Sequence, residues 1–115
     1  MVLKGKTNVF VDSNHIYNIN ALIKISEHLP IEQFDLSSIS LDDTKFIIWK
    51  LDNVRDIVTH YKRIRTSDLS KPILIRSDGI VIDGHHRIIK GIADGIEYLP
   101  SKILTRNQMK RCINK

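Results

Sequence analysis

One cysteine in the whole chain excludes an intrachain disulfide, and a reducing compartment is the expected setting. No apolar run approaches the roughly 20 residues that a membrane-spanning helix requires. The opening "MVLKGKTNVF" has no hydrophobic segment of the secretory kind, so a cytoplasmic protein without a membrane partner is expected. Internal repeats, low-complexity tracts and Gly/Ser linkers are missing too, which excludes a solenoid or a string of tethered modules. Neither HExxH nor CxxC spacing occurs, and there is no GxSxG elbow, so the common zinc and serine-hydrolase patterns are out. Cys112 lies in the basic stretch "KRCINK" with no acid–base partner beside it, and reads as a free, poorly ordered thiol.

What is present fits one small domain. At 115 residues, with 42% hydrophobic and 27% charged residues, the chain has room for a single modest core in a soluble globule. Its net charge of +5 is uneven: residues 1–50 hold five Lys against six Asp/Glu, and residues 51–115 hold thirteen Lys/Arg against seven Asp/Glu. Positive potential gathered in the second half points to a polyanionic partner, with a merely solubilising surface as the alternative.

The pattern of apolar residues suggests alternating strands and helices. "NVFVD" (8–12) is a short strand candidate. From Asn18, a natural cap, Ile19, Leu22, Ile23 and Leu29 recur at helical spacing until Pro30. "QFDLSSI" (33–39) alternates like a half-buried strand, and "DDTKFIIWKL" (42–51) fits strand and helix equally. A second helix is signalled by Val54, Ile57, Val58, Tyr61 and Ile64, capped by Asn53, with Arg55, Asp56, His60, Lys62 and Arg63 on its other face. "KPILIRSDGIVIDG" (71–84) places a hairpin turn at Ser77-Asp78-Gly79. A third helix follows, with Ile88, Ile89, Ile92 and Ala93 on its apolar side and Gly95 just past its end. "EYLPSKILT" (97–105) closes the series as a strand in which Pro100 suggests an edge or a strand start. The expected fold is therefore α+β: one domain built on a small mixed sheet with flanking helices. Residues 1–28 form an extension packed on a core at 29–104, and 105–115 form a basic tail, helical or loose.

The densest chemistry lies in "VIDGHHRIIKG" (81–91), where a strand runs into a helix through Asp83-Gly84. The first N–H groups of such a helix are unpaired and carry partial positive charge, which suits an anion. Gly84 would let a phosphate approach closely, and Arg87 suits a two-pronged grip on it. His85 and His86, about 100° apart on the helix, cannot both face one ligand. Asp83 has two readings, as the helix cap or as a Mg2+ ligand beside a phosphate. A transition-metal site joining Asp83 and a box histidine to His28 or His60 is a weaker rival.

The stretch "LSKPILIRSDGIVIDGHHRIIKGIADGIEYLPSKIL" (69–104) resembles the core of the ParB/sulfiredoxin superfamily, in which a "PI-x-V" strand, a hairpin, a "DGxHR"-type box, a helix and a closing strand follow in that order. "LPIEQFDLSSIS" (29–40) is similar to the strand that opens that domain. The resemblance implies a nucleotide- or phosphate-binding groove, with Gly84, His86 and Arg87 matching the invariant part of the box and Asp83 and His85 in its variable slots. Sulfiredoxins carry a catalytic cysteine where this chain has His85, so sulfinic-acid reduction is not expected. The arginine-richer box and the helix-turn-helix domain of the chromosome-partition proteins are not matched either. What the resemblance implies is a stand-alone domain that binds a nucleoside triphosphate with Mg2+ and acts on or with DNA, by nucleotide hydrolysis or phosphodiester cleavage. Asp83, His85, His86 and Glu32 are then the candidate catalytic groups, with Asp83 the candidate metal ligand. Arg55, Lys62, Arg63 and Arg65 would track DNA phosphates. A free-serine-type kinase, with Glu32 or Asp35 as base, is the first alternative. A non-catalytic accessory module of a mobile element or virus is the second.

Overall fold

The computed structural model describes residues 9–12, 15–41, 49 and 51–114, so most of the ambiguous stretch 42–51 lies outside the described residues. In chain order the elements are β1 (Val9–Val11), β2 (Ile16–Asn18), α1 (Ile19–Ser26), β3 (Glu32–Asp35), α2 (Val54–Thr66), β4 (Ile73–Arg76), β5 (Val81–Asp83), α3 (His85–Ala93), β6 (Tyr98–Leu104), α4 (Arg106–Met109) and β7 (Ile113–Asn114). The fold is α+β, as its sequence pattern suggests, but among the described residues the strands form two sheets rather than one. The larger is mixed, in the order β3-β6-β4-β5, and the smaller is antiparallel, in the order β1-β2-β7.

Local chemistry sets the boundaries. Asn18 Oδ1 accepts the N–H of Ala21 to start α1, and Asn53 Oδ1 accepts that of Asp56 to start α2. Gly79, at φ 93°, turns the β4–β5 hairpin, with Gly79 N–H donating to the Arg76 carbonyl at 2.8 Å. Helix α3 ends in a Schellman arrangement: Gly95 N–H donates to Ile92 and Ile96 N–H to Gly91, with Gly95 at φ 73°. The alternation from Phe34 is cut short because Asp35 Oδ1 accepts from both the N–H and the hydroxyl of Ser37, winding Leu36–Ser38 into a 3-10 turn. These hydrogen bonds hold the Asp35 carboxyl below its usual range.

Strand β6 corrects the expectation drawn from Pro100. It is an inner strand, antiparallel to β3 and parallel to β4. The proline is accommodated because pairing with β4 begins only at Ser101, so the missing N–H faces no partner strand there. Every residue of β4 is buried, because both faces of the larger sheet are covered. Ile73, Ile75, Val81 and Leu99 pack with Ile88 of α3 on one side, while Leu74, Ile82 and Leu104 pack with Leu22 of α1 on the other.

The stretch expected as a basic tail is part of the fold. Thr105 and Gln108 form a reciprocal capping box that starts α4, and β7 pairs with β2. Met109 and Cys112 enter the same core cluster as Tyr17 and Leu22, so Cys112 is buried and not a loose thiol, and burial pushes its pKa up. The apolar pair, not the surrounding charges, decides where this segment goes.

An ion cluster fastens the hairpin to both flanks. Buried Arg76 donates Nε and Nη2 to the two oxygens of Asp78 at 2.8 and 2.9 Å and reaches Asp12 Oδ2 at 3.4 Å; Arg106 meets Asp78 at 3.0 Å. The hydrogen bonds from Arg76, with its charge, hold the Asp78 carboxyl down to about 2. Arg76→Met is expected to lower stability by about 2 kcal/mol in urea denaturation, less than for a fully buried pair because Asp78 keeps access to water.

Candidate functional site

At the 83–87 corner the backbone itself is special. Gly84 sits at φ 112° and ψ 18°, and a Cβ there would lie 2.5 Å from Ile73 Cγ2 and 2.8 Å from Ile73 Cβ. Its missing side chain therefore lets α3 start hard against the floor of β4. Asp83 does not cap the helix: the N-cap is Gly84, which has no side-chain cap bond, and the Asp83 carboxylate instead pairs with Arg87 Nη2 at 3.1 Å, one turn on. Arg87 also donates Nη1 to the carbonyls of Lys71 and Pro72, at 3.0 and 2.7 Å. The guanidinium thus clamps the first turn of α3 to the entrance of β4.

The two box histidines behave differently. His85 is 9% exposed, and burial lowers its pKa to about 4 despite the opposing charge of Asp83. His86 points to α2, where its Nε2 lies 2.9 Å from His60 Nδ1, one ring donating and the other accepting. The ring centroids are 5.1 Å apart and the planes 15° from parallel, so the imidazoles lie edge to edge in nearly one plane. Trp49 spreads over that pair, its centroid 4.2 Å from His60 and 4.3 Å from His86, almost parallel to both. Desolvation, then the charges of Arg63, His85 and Arg87 together with that of His60, lowers the His86 pKa to about 4; desolvation and Arg63 lower that of His60. At neutral pH the cluster is an uncharged, hydrogen-bonded imidazole pair under an indole.

Trp49 was not singled out by sequence reasoning, and His60 entered as a member of the polar face of α2 and as a remote metal ligand. One signal was available. On the polar side of α2, His60 is an uncharged ring among Arg55, Asp56, Lys62 and Arg63.

These side chains, as arranged, do not suit a nucleoside triphosphate with Mg2+. Arg87 is committed to three acceptors, His85 and His86 are neutral, and the Asp83 carboxylate is paired. Among the described residues no group of three or more His, Cys, Asp and Glu is placed to hold a metal ion, and His28 is exposed. Glu32 is not brought to the corner either. It lies on β3, with β6 and β4 between it and β5, a separation of about 14 Å at normal strand spacing.

The α2 candidates form a surface of their own. Arg55, Lys62, Arg63 and Arg65 are all exposed, and none is in an ion pair among the described residues. Five other cations of the second half are already engaged: Arg76 and Arg106 with Asp78, Arg87 as above, Lys90 with the carbonyls of Arg65 and Ser67, Lys102 with those of Ser26 and Glu27; Lys71, Lys110 and Arg111 are exposed like the α2 four. Helix α2 is also turned from its expected orientation. His60 is its one buried residue, while Val54 is 74% and Tyr61 58% exposed, with Ile57 and Val58 exposed beside them. The stacking of His60 under Trp49 and its hydrogen bond with His86 outweigh the pull of the apolar stripe among the contacts described. Comparison with family profiles, with curated proteins and with solved structures finds no match for the chain.

Proposed function

We propose that the chain binds the phosphodiester backbone of nucleic acid, DNA above all, through the exposed cations of α2. The observation that carries this reading is the set of Arg55, Lys62, Arg63 and Arg65 on one helix, unspent in internal ion pairs and opposed there only by Asp56. The resemblance to the ParB/sulfiredoxin superfamily supports DNA as the polyanion. In this reading the 83–87 corner is a mount: Arg87 fixes α3 to β4, and the His60–His86 contact fixes α2 to α3. Nucleotide hydrolysis, phosphodiester cleavage and phosphate transfer to an alcohol are left out of the reading, since the corner's donors are committed and Glu32 stands strands away.

Four phosphate contacts give a slope of log K against log salt of about −2.8 for single strands to about −3.6 for duplex, and so about a fifty- to hundred-and-fifty-fold weakening between about 50 and 200 mM salt. Fluorescence anisotropy with labelled DNA is expected to show that dependence for the native chain. It is expected to vanish when the four cations are replaced together by alanine, with the circular dichroism spectrum unchanged because all four are exposed. Salt-independent binding, or binding that survives the fourfold replacement, would refute the assignment.

A further inference from the structure

Rested on the nucleic-acid reading, the exposed apolar stripe of α2 says which form of nucleic acid the surface fits. At about 100° per residue, Ile57, Tyr61, Val54 and Val58 form one strip along the helix. Arg65 lies within that strip one turn beyond Tyr61, Lys62 and Arg55 follow on its flank, and Arg63 lies on the far side beside Asp56 and His60. The Arg65 guanidinium stands 5.8 Å from the centre of the Tyr61 ring. The strip from Val54 to Tyr61 is about 10 Å long, enough for two or three nucleotides.

We propose that this arc takes single-stranded nucleic acid, with unpaired bases on the Val54–Ile57–Val58–Tyr61 strip and their phosphates along Arg55, Lys62 and Arg65. A duplex offers its phosphates but keeps base faces inside the stack, so it would match the cations and leave the strip in water. A helix that reads a major groove aims Arg, Asn or Gln at base edges. Here Val54, Ile57, Val58 and Tyr61 offer stacking and dispersion but no hydrogen-bond code, and Arg65 is the one such donor among them. A second copy fits less well, because self-docking would bring Arg55, Lys62 and Arg65 of both chains along one seam with Asp56 turned away.

The test uses the full chain with labelled oligothymidylate of about 15 nucleotides and a duplex of equal length. Single strands are expected to bind about tenfold tighter than duplex. Tyr61→Ala, at an exposed position, is expected to weaken single-strand binding by about tenfold and leave duplex affinity and the salt slope unchanged. Lys62→Ala should weaken both and lower the slope by about 0.7 to 0.9. Equal or tighter duplex binding, or indifference to Tyr61→Ala, would overturn the single-strand proposal while leaving backbone binding intact; no binding of either would overturn both. Sedimentation showing a dimer that Tyr61→Ala splits would give the strip to a second copy. Adsorption to phosphatidylserine vesicles lost in Tyr61→Ala would give it to a membrane surface. Either result overturns the proposal.

Discussion

Gly84→Ala is expected to lower stability by about 3 to 5 kcal/mol, a large part of what a domain of this size possesses. Two costs combine. The backbone at φ 112° lies where a side chain is strained, and the new methyl would enter the space of Ile73 Cγ2 and Cβ. Neither neighbour can yield cheaply, because Ile73 is fully buried in β4, between β5 and β6. Relief would require α3 to lift from the sheet, pulling Arg87 from the Lys71 and Pro72 carbonyls. Urea denaturation followed by far-ultraviolet circular dichroism measures the loss. A midpoint within error of the native chain would show that the helix start is looser than drawn. Gly79, with a similar positive φ but open space around its Cβ position, provides the control: Gly79→Ala suffers the strain without the collision.

Acidification from about pH 7 to about pH 4 is expected to destabilise the fold steeply. His85 and His86 have folded pKa values of about 4, below the 6.5 of a free imidazole, mainly because burial disfavours the charged ring. Between those values the unfolded chain binds more protons, so stability is fully present above about pH 6.5, falls as pH drops, and stops falling from this cause below about pH 4. For buried His85 alone the loss amounts to about 3 kcal/mol. The His60–His86 pair adds to it, because a second proton replaces one N–H···N bond with two like charges. Trp49, the chain's single tryptophan, lies over that pair and reports the event through its fluorescence. Asp78 acts in a separate window: its stabilising contribution is present above its ordinary value of 3.8 and disappears as pH falls through about 2. Denaturation midpoints that do not move between pH 7 and 4 would contradict the burial of the histidines, and His85→Leu should flatten the curve.

Much of the architecture was legible because it is local. Asn18 and Asn53 cap the helices they precede, Gly79 and Gly95 occupy left-handed turns, and the strand–hairpin–helix–strand order from Ile73 to Leu104 follows from alternation and turn chemistry. What escaped depended on distant partners. Thr105 and Gln108 announce a helix start, but the burial of Met109 and Cys112 needs Tyr17 and Leu22, some ninety positions earlier, to be seen. The orientation of α2 depends on Trp49 and His86, which lie outside it, and periodicity alone aims its apolar side at the core. At the candidate site, residue types suggested an anion grip. The acceptors that occupy Arg87 are main-chain carbonyls, which carry no signature in the sequence.

The pairing of β7 with β2 has a consequence for biosynthesis. The first hairpin leaves the ribosome early with one edge bare and part of its apolar lining missing, and waits until residue 114 has been made before that edge closes. A nascent chain arrested before Met109 should therefore remain sensitive to protease around Tyr17, whereas one released past Asn114 should become resistant in a single step.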